Sequence, residues 1–201
     1  NVNANTPIED MRQSITENPE LRIDDLDAIA GFTWVGVQAR EVGGENQRWE
    51  GTELRASNDD FLELSEYKLK LFADSYGTSG EVWQALIDDP SLAVLGGALV
   101  ATSEGVTAEG SEPLLEKVFY EDDKMSPVEI EVREPSTGVI VHLKVIGVMD
   151  RVHEHGWSMV TSKAVVDNAV PFPVPITNYR FRVAKGVDAS DVAKSLESSF
   201  L

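Results

Sequence analysis

The chain has 201 residues, with 17 Lys and Arg against 35 Asp and Glu, a formal net charge of −18 at pH 7 and no cysteine. So acidic a chain repels phosphate backbones and anionic headgroups, which makes nucleic acid and acidic membrane surfaces poor partners, and no nucleic-acid partner is expected. Without thiols there are no disulfides, Cys–zinc sites, iron–sulfur clusters or thiol nucleophiles, and either redox compartment is tolerated.

Apolar residues at 42% and charged residues at 26% are those of a folded domain. The length is enough to bury a core without staples. The longest run lacking a polar side chain is Leu92 to Ala101. That is about half of the roughly 20 residues a spanning helix needs. The chain opens on Asn1 with no basic segment leading into an apolar one, as expected of a processed protein or an excised piece of a longer one.

Thr6-Pro7-Ile8-Glu9 reads as a capping box with proline at the first helical position, and Ile8, Met11 and Ile15 follow at helical spacing up to Asn18-Pro19. Asp24, then Leu26, Ile29 and Ala30, then Gly31 predict a second, short helix. The period then changes. Trp34 to Arg40 alternates, with Val35, Val37 and Ala39 on one face; Gly43-Gly44-Glu45-Asn46 is a turn, and Arg48 to Ala56 is the returning strand. A short helix and an extended piece are expected between Asp59 and Phe72.

Thr78-Ser79-Gly80-Glu81 is a second capping box, opening a helix that Asp88-Asp89-Pro90 closes. Leu92 to Leu95 reads as a buried strand of parallel type. Residues 102–124 are polar and irregular. Val128 to Arg133 and Val139 to Val148 alternate around Pro135-Ser136-Thr137-Gly138, a hairpin. Ser158 to Thr161 is a strand, Ser162 to Ala169 a helix, and Tyr179 to Val183 a strand. Three prolines keep Val170 to Ile176 out of helix and central strand. Asp188 caps a last helix with Val192, Leu196 and Phe200 on one face. The mixed order predicts an α+β fold.

Chemistry is thinly signalled. The carboxylate clusters Asp24-Asp25 with Asp27, Asp59-Asp60, Asp88-Asp89 and Glu121-Asp122-Asp123 fit caps, turns and solvated surface better than acid–base or calcium work. Asp150, His153 and His155 are the one set with a metal-ligating character, although a loop at a hairpin end explains them as well, and His142 falls on the solvent face of its strand. There is no Gly-x-Ser-x-Gly elbow and no phosphate loop, and Gly96-Gly97 lacks the rest of a dinucleotide fingerprint. No catalytic residue, cofactor or metal is expected. Trp49, Trp83 and Trp157 are expected in core or rim packing. The apolar loop is either a rigid crossover on the core or a partner contact, with Phe172, Val174 and the nearby Trp157 as the contact residues.

Val82-Trp83-Gln84-Ala85-Leu86, then Asp89-Pro90, then Leu92-Ala93-Val94-Leu95 resembles a segment of ABC-transporter permeases of the FtsX-like and MacB-like class. Ala56, Asp60-Phe61-Leu62, Tyr67 and Tyr76-Gly77 fit upstream; the 128–148 hairpin ending in Val145-Ile146-Gly147-Val148 and the closing helix fit downstream. The likeness spans about residues 20–201 and departs at Glu121-Asp122-Asp123-Lys124, where a Gly-Asp pair is expected.

The resemblance implies a MacB-like periplasmic core domain on the extracytoplasmic side of a cell-membrane permease. It implies two lobes: a membrane-proximal α/β lobe from 21–105 and 155–201, with 106–154 as an inserted β-rich lobe and 1–20 as a helical lead from a membrane helix. The implied role is mechanical, coupling ATP-driven motion of membrane helices to export, lipoprotein release or signalling. The implied partners are a separate cytoplasmic ATPase, a second permease copy and an export substrate or extracytoplasmic protein. It further implies that both chain ends lie at one pole. The alternatives are a stand-alone secreted ligand- or protein-binding module and a metal-dependent hydrolase using Asp150, His153 and His155.

Overall fold

The computed structural model of the chain describes residues 2–3, 8–45, 47–107, 112–151, 156–170 and 174–200. A two-residue strand, β1 (Val2–Asn3), precedes α1 (Ile8–Glu17), and Met11 and Ile15 of α1 are fully buried. Their four-residue spacing puts them on one face. Glu9 and Asp10 occupy its first turn, where acids complement the helix dipole. The expected cap at Thr6-Pro7 lies outside the described residues.

The second helix does not form. A single 3₁₀ turn at Ile23–Asp25 leads straight into β2 (Leu26–Glu41). Ile29 packs with Met11, Tyr179 and Leu196, whereas Ala30 packs with Phe32, Phe61 and Trp83. Consecutive residues reaching opposite sides is the period of a strand, which no helix satisfies. Pairing with the strand Asn178–Val183 along Leu26–Phe32 outweighs the local helical spacing. Gly31, read as a helix stop, instead passes under Ile176, where a Cβ would lie 3.0 Å from Cγ2.

The hairpin forms as expected: β3 (Glu50–Ser57) runs antiparallel to β2, with Val37 opposite Thr52. Asn58 caps α2 (Asp59–Glu63) by accepting from the Phe61 N–H at 3.0 Å, and β4 (Leu69–Phe72) follows. At α3 (Ser79–Asp88), Thr78 Oγ1 accepts from the Glu81 N–H at 3.2 Å and Glu81 Oε2 accepts from the Gly77 N–H at 2.7 Å. β5 (Leu92–Leu95) precedes β6 (Val100–Ala101) and β7 (Leu115–Phe119), which form a separate two-stranded sheet.

β8 (Val128–Arg133) and β9 (Ile140–Met149) make the second expected hairpin. Gly138 supplies its φ of +72°, backbone that residues with a Cβ avoid. Then come β10 (Ser158–Ser162), α4 (Lys163–Ala169), β11 (Asn178–Val183) and α5 (Ala189–Phe200). Asp188 Oδ1 accepts from the Ser190 and Asp191 N–H groups at 2.8 and 3.2 Å, so it caps α5 as its position predicts.

Among the described residues nine strands join in one sheet, ordered β1-β11-β2-β3-β10-β5-β9-β4, and β8 bridges β9 back to β2. The pairings β2–β3–β10–β5–β9–β8–β2 therefore close on themselves. The length of β2 permits this. On the edge away from β3 it pairs β11 through its first part and β8 through Gln38–Glu41. Closure removes exposed strand edges from the ring. The ring holds a core that includes Val37, Leu54, Leu95, Ile130, Val145 and Met159.

A second core, built on Phe32, Val94, Ile146 and Val160, lies under α2 and α3. β5 feeds both: Ala93 and Leu95 face the first, Leu92 and Val94 the second. That explains its unbroken apolar run, although β5 is parallel to β9 and antiparallel to β10. The result is an α+β fold. The 106–154 stretch supplies β8 and β9 to the closed ring, so its backbone is hydrogen-bonded to β2, β4 and β5.

Candidate functional site

The acidic clusters serve the backbone. Asp89 accepts from Ser91 Oγ at 2.7 Å and the Ser91 N–H at 2.9 Å, which holds its carboxyl below the usual range. Glu121 accepts from the Ser103 N–H at 2.8 Å, and Asp122 from the Phe119 N–H at 2.9 Å. Asp60 pairs with Arg12 at 2.6 Å. These are caps, turns and ties.

Asp150 accepts hydrogen bonds from the Tyr120 hydroxyl and, at 2.8 Å, from the Arg151 N–H. The Tyr120 bond lowers the carboxyl's pKa, while burial and the acid raise that of the phenol. Arg151 lies over the Tyr120 ring at 4.0 Å. His153 and His155 lie outside the described residues, and His142 is exposed on β9. Among the described residues no group of three His, Asp or Glu side chains is placed to hold a metal. Gly97 has a packing reason: a Cβ there would lie 2.6 Å from the Met149 carbonyl oxygen and 2.8 Å from Tyr120 Cε2.

Of the three partner-contact residues, Phe172 lies outside the described residues. Val174 is half-buried, packs on the ring core and lines a cavity of about 550 Å³ with Ile176, Arg12, Asp60, Ser57 and Lys163. That cavity reaches Ser162, the last residue of β10, whereas Trp157 adjoins Ser158, the first. The two ends of a five-residue strand are roughly 15 Å apart. Trp157 is 38% exposed, and its carbonyl accepts from Thr52 Oγ1 at 3.4 Å. Trp83 is core, and Trp49 is rim.

A further cluster has no counterpart in the sequence reading. Arg55 is 1% exposed, with its guanidinium 4.2 Å from the Trp34 ring centre, 4.7 Å from Phe32 and 5.7 Å from Phe61. Arg180, from β11, stacks on the same Phe32 and Phe61 at 5.8 and 5.7 Å and donates to the Tyr67 hydroxyl. Beside it opens a cavity of about 420 Å³ lined by Phe61, Leu64, Tyr67, Arg180 and Arg182.

No protein-family model matches the chain, and neither does any curated protein. Among solved structures, it superposes on the extracellular domain of the noncanonic ABC-type transporter YknZ from Gram-positive bacteria with a TM-score of 0.52 and 12% identity, over 94% of this chain and 84% of that one. It also superposes on the periplasmic region of MacB from Actinobacillus actinomycetemcomitans with a TM-score of 0.55 and 14% identity, over 98% and 73% of the two chains. The fold is that of these MacB-type extracytoplasmic domains.

In this MacB-type fold the two terminal helices contribute to one apolar cluster. Met11 and Ile15 of α1 share one apolar cluster with Leu196 of α5, and Val192 and Phe200 pack against it. Tyr179 of β11 is in the same cluster, its hydroxyl pKa pushed well up by burial, then by Glu9 and Asp10. Among the described residues no helix is long and apolar enough to cross a membrane. The Arg55 cluster left a faint trace in the sequence: an arginine at an inward position of a strand with Trp and Phe on the neighbouring strand. Only the strand register brings Trp34 opposite Arg55.

Proposed function

We propose that this chain is the extracytoplasmic domain of an ABC-transporter permease, and that it transmits movement rather than performing a reaction. The fold supports this reading. The single observation that carries it is the apolar cluster shared by α1 and α5, which holds the first and last helices of the chain together, as two flanking membrane helices would require. In this reading a cytoplasmic ATPase moves those helices, and α1 and α5 receive the motion as a pair. Residues 21–105 with 155–201 are the membrane-proximal part and 106–154 the distal part. The two parts move as one, since β9 is hydrogen-bonded to β5 and β4. Packed interfaces of this kind pass on discrete displacements rather than absorbing them. The cargo is an export substrate, a lipoprotein or a protein outside the membrane, and a second permease copy completes the assembly.

These 201 residues hold no cysteine, so one introduced thiol is the only one among them, and any cysteine elsewhere in the full-length product is first replaced by serine. In the full-length gene product, Val106→Cys should react with a membrane-impermeant maleimide in intact cells. Val192→Cys, at the half-buried α1–α5 junction, should change its labelling rate on ATP hydrolysis. Labelling of Val106→Cys only after lysis, or an ATP-insensitive junction, sinks the proposal.

A further inference from the structure

The cavity between β11 and the α2–β4 connection is lined by more cations than acids, against the sign of the chain's overall charge. The chain carries −18 overall. Here Arg180 and Arg182 line the wall against a single acid, Glu66, and the buried guanidinium of Arg55 lies behind the Phe61 ring. Arg180 and Arg182, two apart on β11, share a face, whereas Tyr179 belongs to the α1–α5 cluster on the other and Phe181 packs against that cluster while also lining the cavity. Arg182 is exposed and makes no ion pair with a described residue. Arg180 is held in place by its bond to the Tyr67 hydroxyl and by its stacking on Phe32 and Phe61.

The remaining wall is largely apolar: Ala30, Phe61, Leu64 and Phe181, with Ser65 and Tyr67 as its polar members. A volume of about 420 Å³ falls within the range of roughly 300–1,000 Å³ typical of small-molecule sites.

We propose that this cavity binds a small apolar monocarboxylate, its body against Phe61, Leu64 and Tyr67 and its carboxylate on Arg182 and Arg180. A guanidinium offers a planar fork of donors that matches a carboxylate in two parallel hydrogen bonds. Two guanidiniums facing one acid favour an anion, and cation–π stacking keeps Arg55 and Arg180 from moving away when the site empties. A free cation at a cavity mouth on an acidic protein also concentrates anions there against the general field. The inference does not depend on the transport reading; a secreted binding module would carry the same site.

The test uses the 201-residue chain and three ten-carbon probes: decanoate, decanol and decyltrimethylammonium. Binding is read by calorimetry and by emission from Trp34 and Trp83, which neighbour Phe32 and Tyr67 at 5.6 and 6.4 Å between ring centres. Decanoate should saturate one site. Decanol should bind at least tenfold more weakly, and the ammonium should not bind. Arg182→Gln should weaken decanoate about tenfold, and Arg182→Glu should abolish it. Arg133→Gln, which changes net charge equally on a distant strand, should leave it unchanged. Arg182 is exposed, so its variants should keep the wild-type unfolding midpoint.

Equal affinity for decanol and decanoate overturns the proposal. So does indifference to Arg182→Gln, an equal loss in Arg133→Gln, or no saturable binding at all.

Discussion

Arg12 Nη2 lies 2.6 Å from Asp60 Oδ2, so an ion pair ties the first helix to α2 across 48 residues of chain. Arg12 is exposed and Asp60 half-buried, with side-chain accessibilities of 49% and 29%. Pairs so exposed are worth at most about 1 kcal/mol. Met11 and Ile15 beneath it are fully buried and hold α1 far more strongly. Arg12→Ala should therefore raise hydrogen exchange in α1 by up to about fivefold and leave the global denaturant midpoint in place. Ile15→Ala should lower that midpoint, at a cost of about 2–5 kcal/mol. Equal effects of the two variants would mean that the ion pair, not the apolar face, docks the helix.

Gly97 sits where the backbone after β5 crosses the end of β9. An added Cβ would meet the Met149 carbonyl oxygen at 2.6 Å, and that oxygen belongs to a paired strand and cannot swing aside. Gly97→Ala should cost about 1–3 kcal/mol by overpacking. Gly36→Ala, where nothing lies within 4 Å of the new Cβ, is the control and should be within about 0.5 kcal/mol of the parent. Urea denaturation of both variants gives the comparison.

Local signals carried most of the fold. Thr78 with Glu81 and Asp188 before α5 are cap residues whose chemistry acts within one turn, and they sit where their sequence positions require. The alternation in Val128–Arg133 and in the 139–148 run likewise marks the hairpin that β8 and β9 form. Leu26 to Gly31 shows the limit. Its spacing fits a helix, but pairing with β11 makes it a strand, and β11 lies about 150 positions away in sequence. The closed ring was illegible for the same reason, since it rests on a four-residue pairing between β2 and β8 some ninety positions apart. The Arg55 cluster draws on β2, β3, α2 and β11, so no window of sequence contains it.

Acid should loosen the β8–β9 turn before it unfolds the chain. Glu134 accepts from Ser136 Oγ at 2.7 Å, the Ser136 N–H at 3.0 Å and the Thr137 N–H at 2.6 Å. These bonds, that of the Ser136 hydroxyl first, bring its pKa from 4.5 down to about 2. The folded value lies below the unfolded one. The contribution is therefore complete above the unfolded value and is lost as pH falls through the folded one. Carboxyl NMR should show Glu134 titrating near the bottom of the acid range. Amides 134–139 should lose protection between pH 4.5 and 2, the interval between the two values. Glu134→Gln should remove that pH dependence. A Glu134 midpoint at the ordinary 4.5 would refute the turn's role.

Arg55 separates stacking from simple burial. Removing a buried charge for an apolar side chain of similar length often stabilises a protein, since the cost of desolvating the ion is recovered. Here the guanidinium lies within 5.7 Å of three ring centres, and a desolvated cation–π contact is worth about 2 kcal/mol. Stacking should win. Arg55→Met keeps the stem in place, so it should destabilise the chain by about 1–2 kcal/mol and shift the emission of Trp34, which sits 4.2 Å from the lost group. Arg55→Lys should recover part of the loss, because an ammonium keeps the charge but not the flat face that stacks. A more stable Arg55→Met variant would show that desolvation dominates, and that the three rings pack as well around a thioether as around a cation.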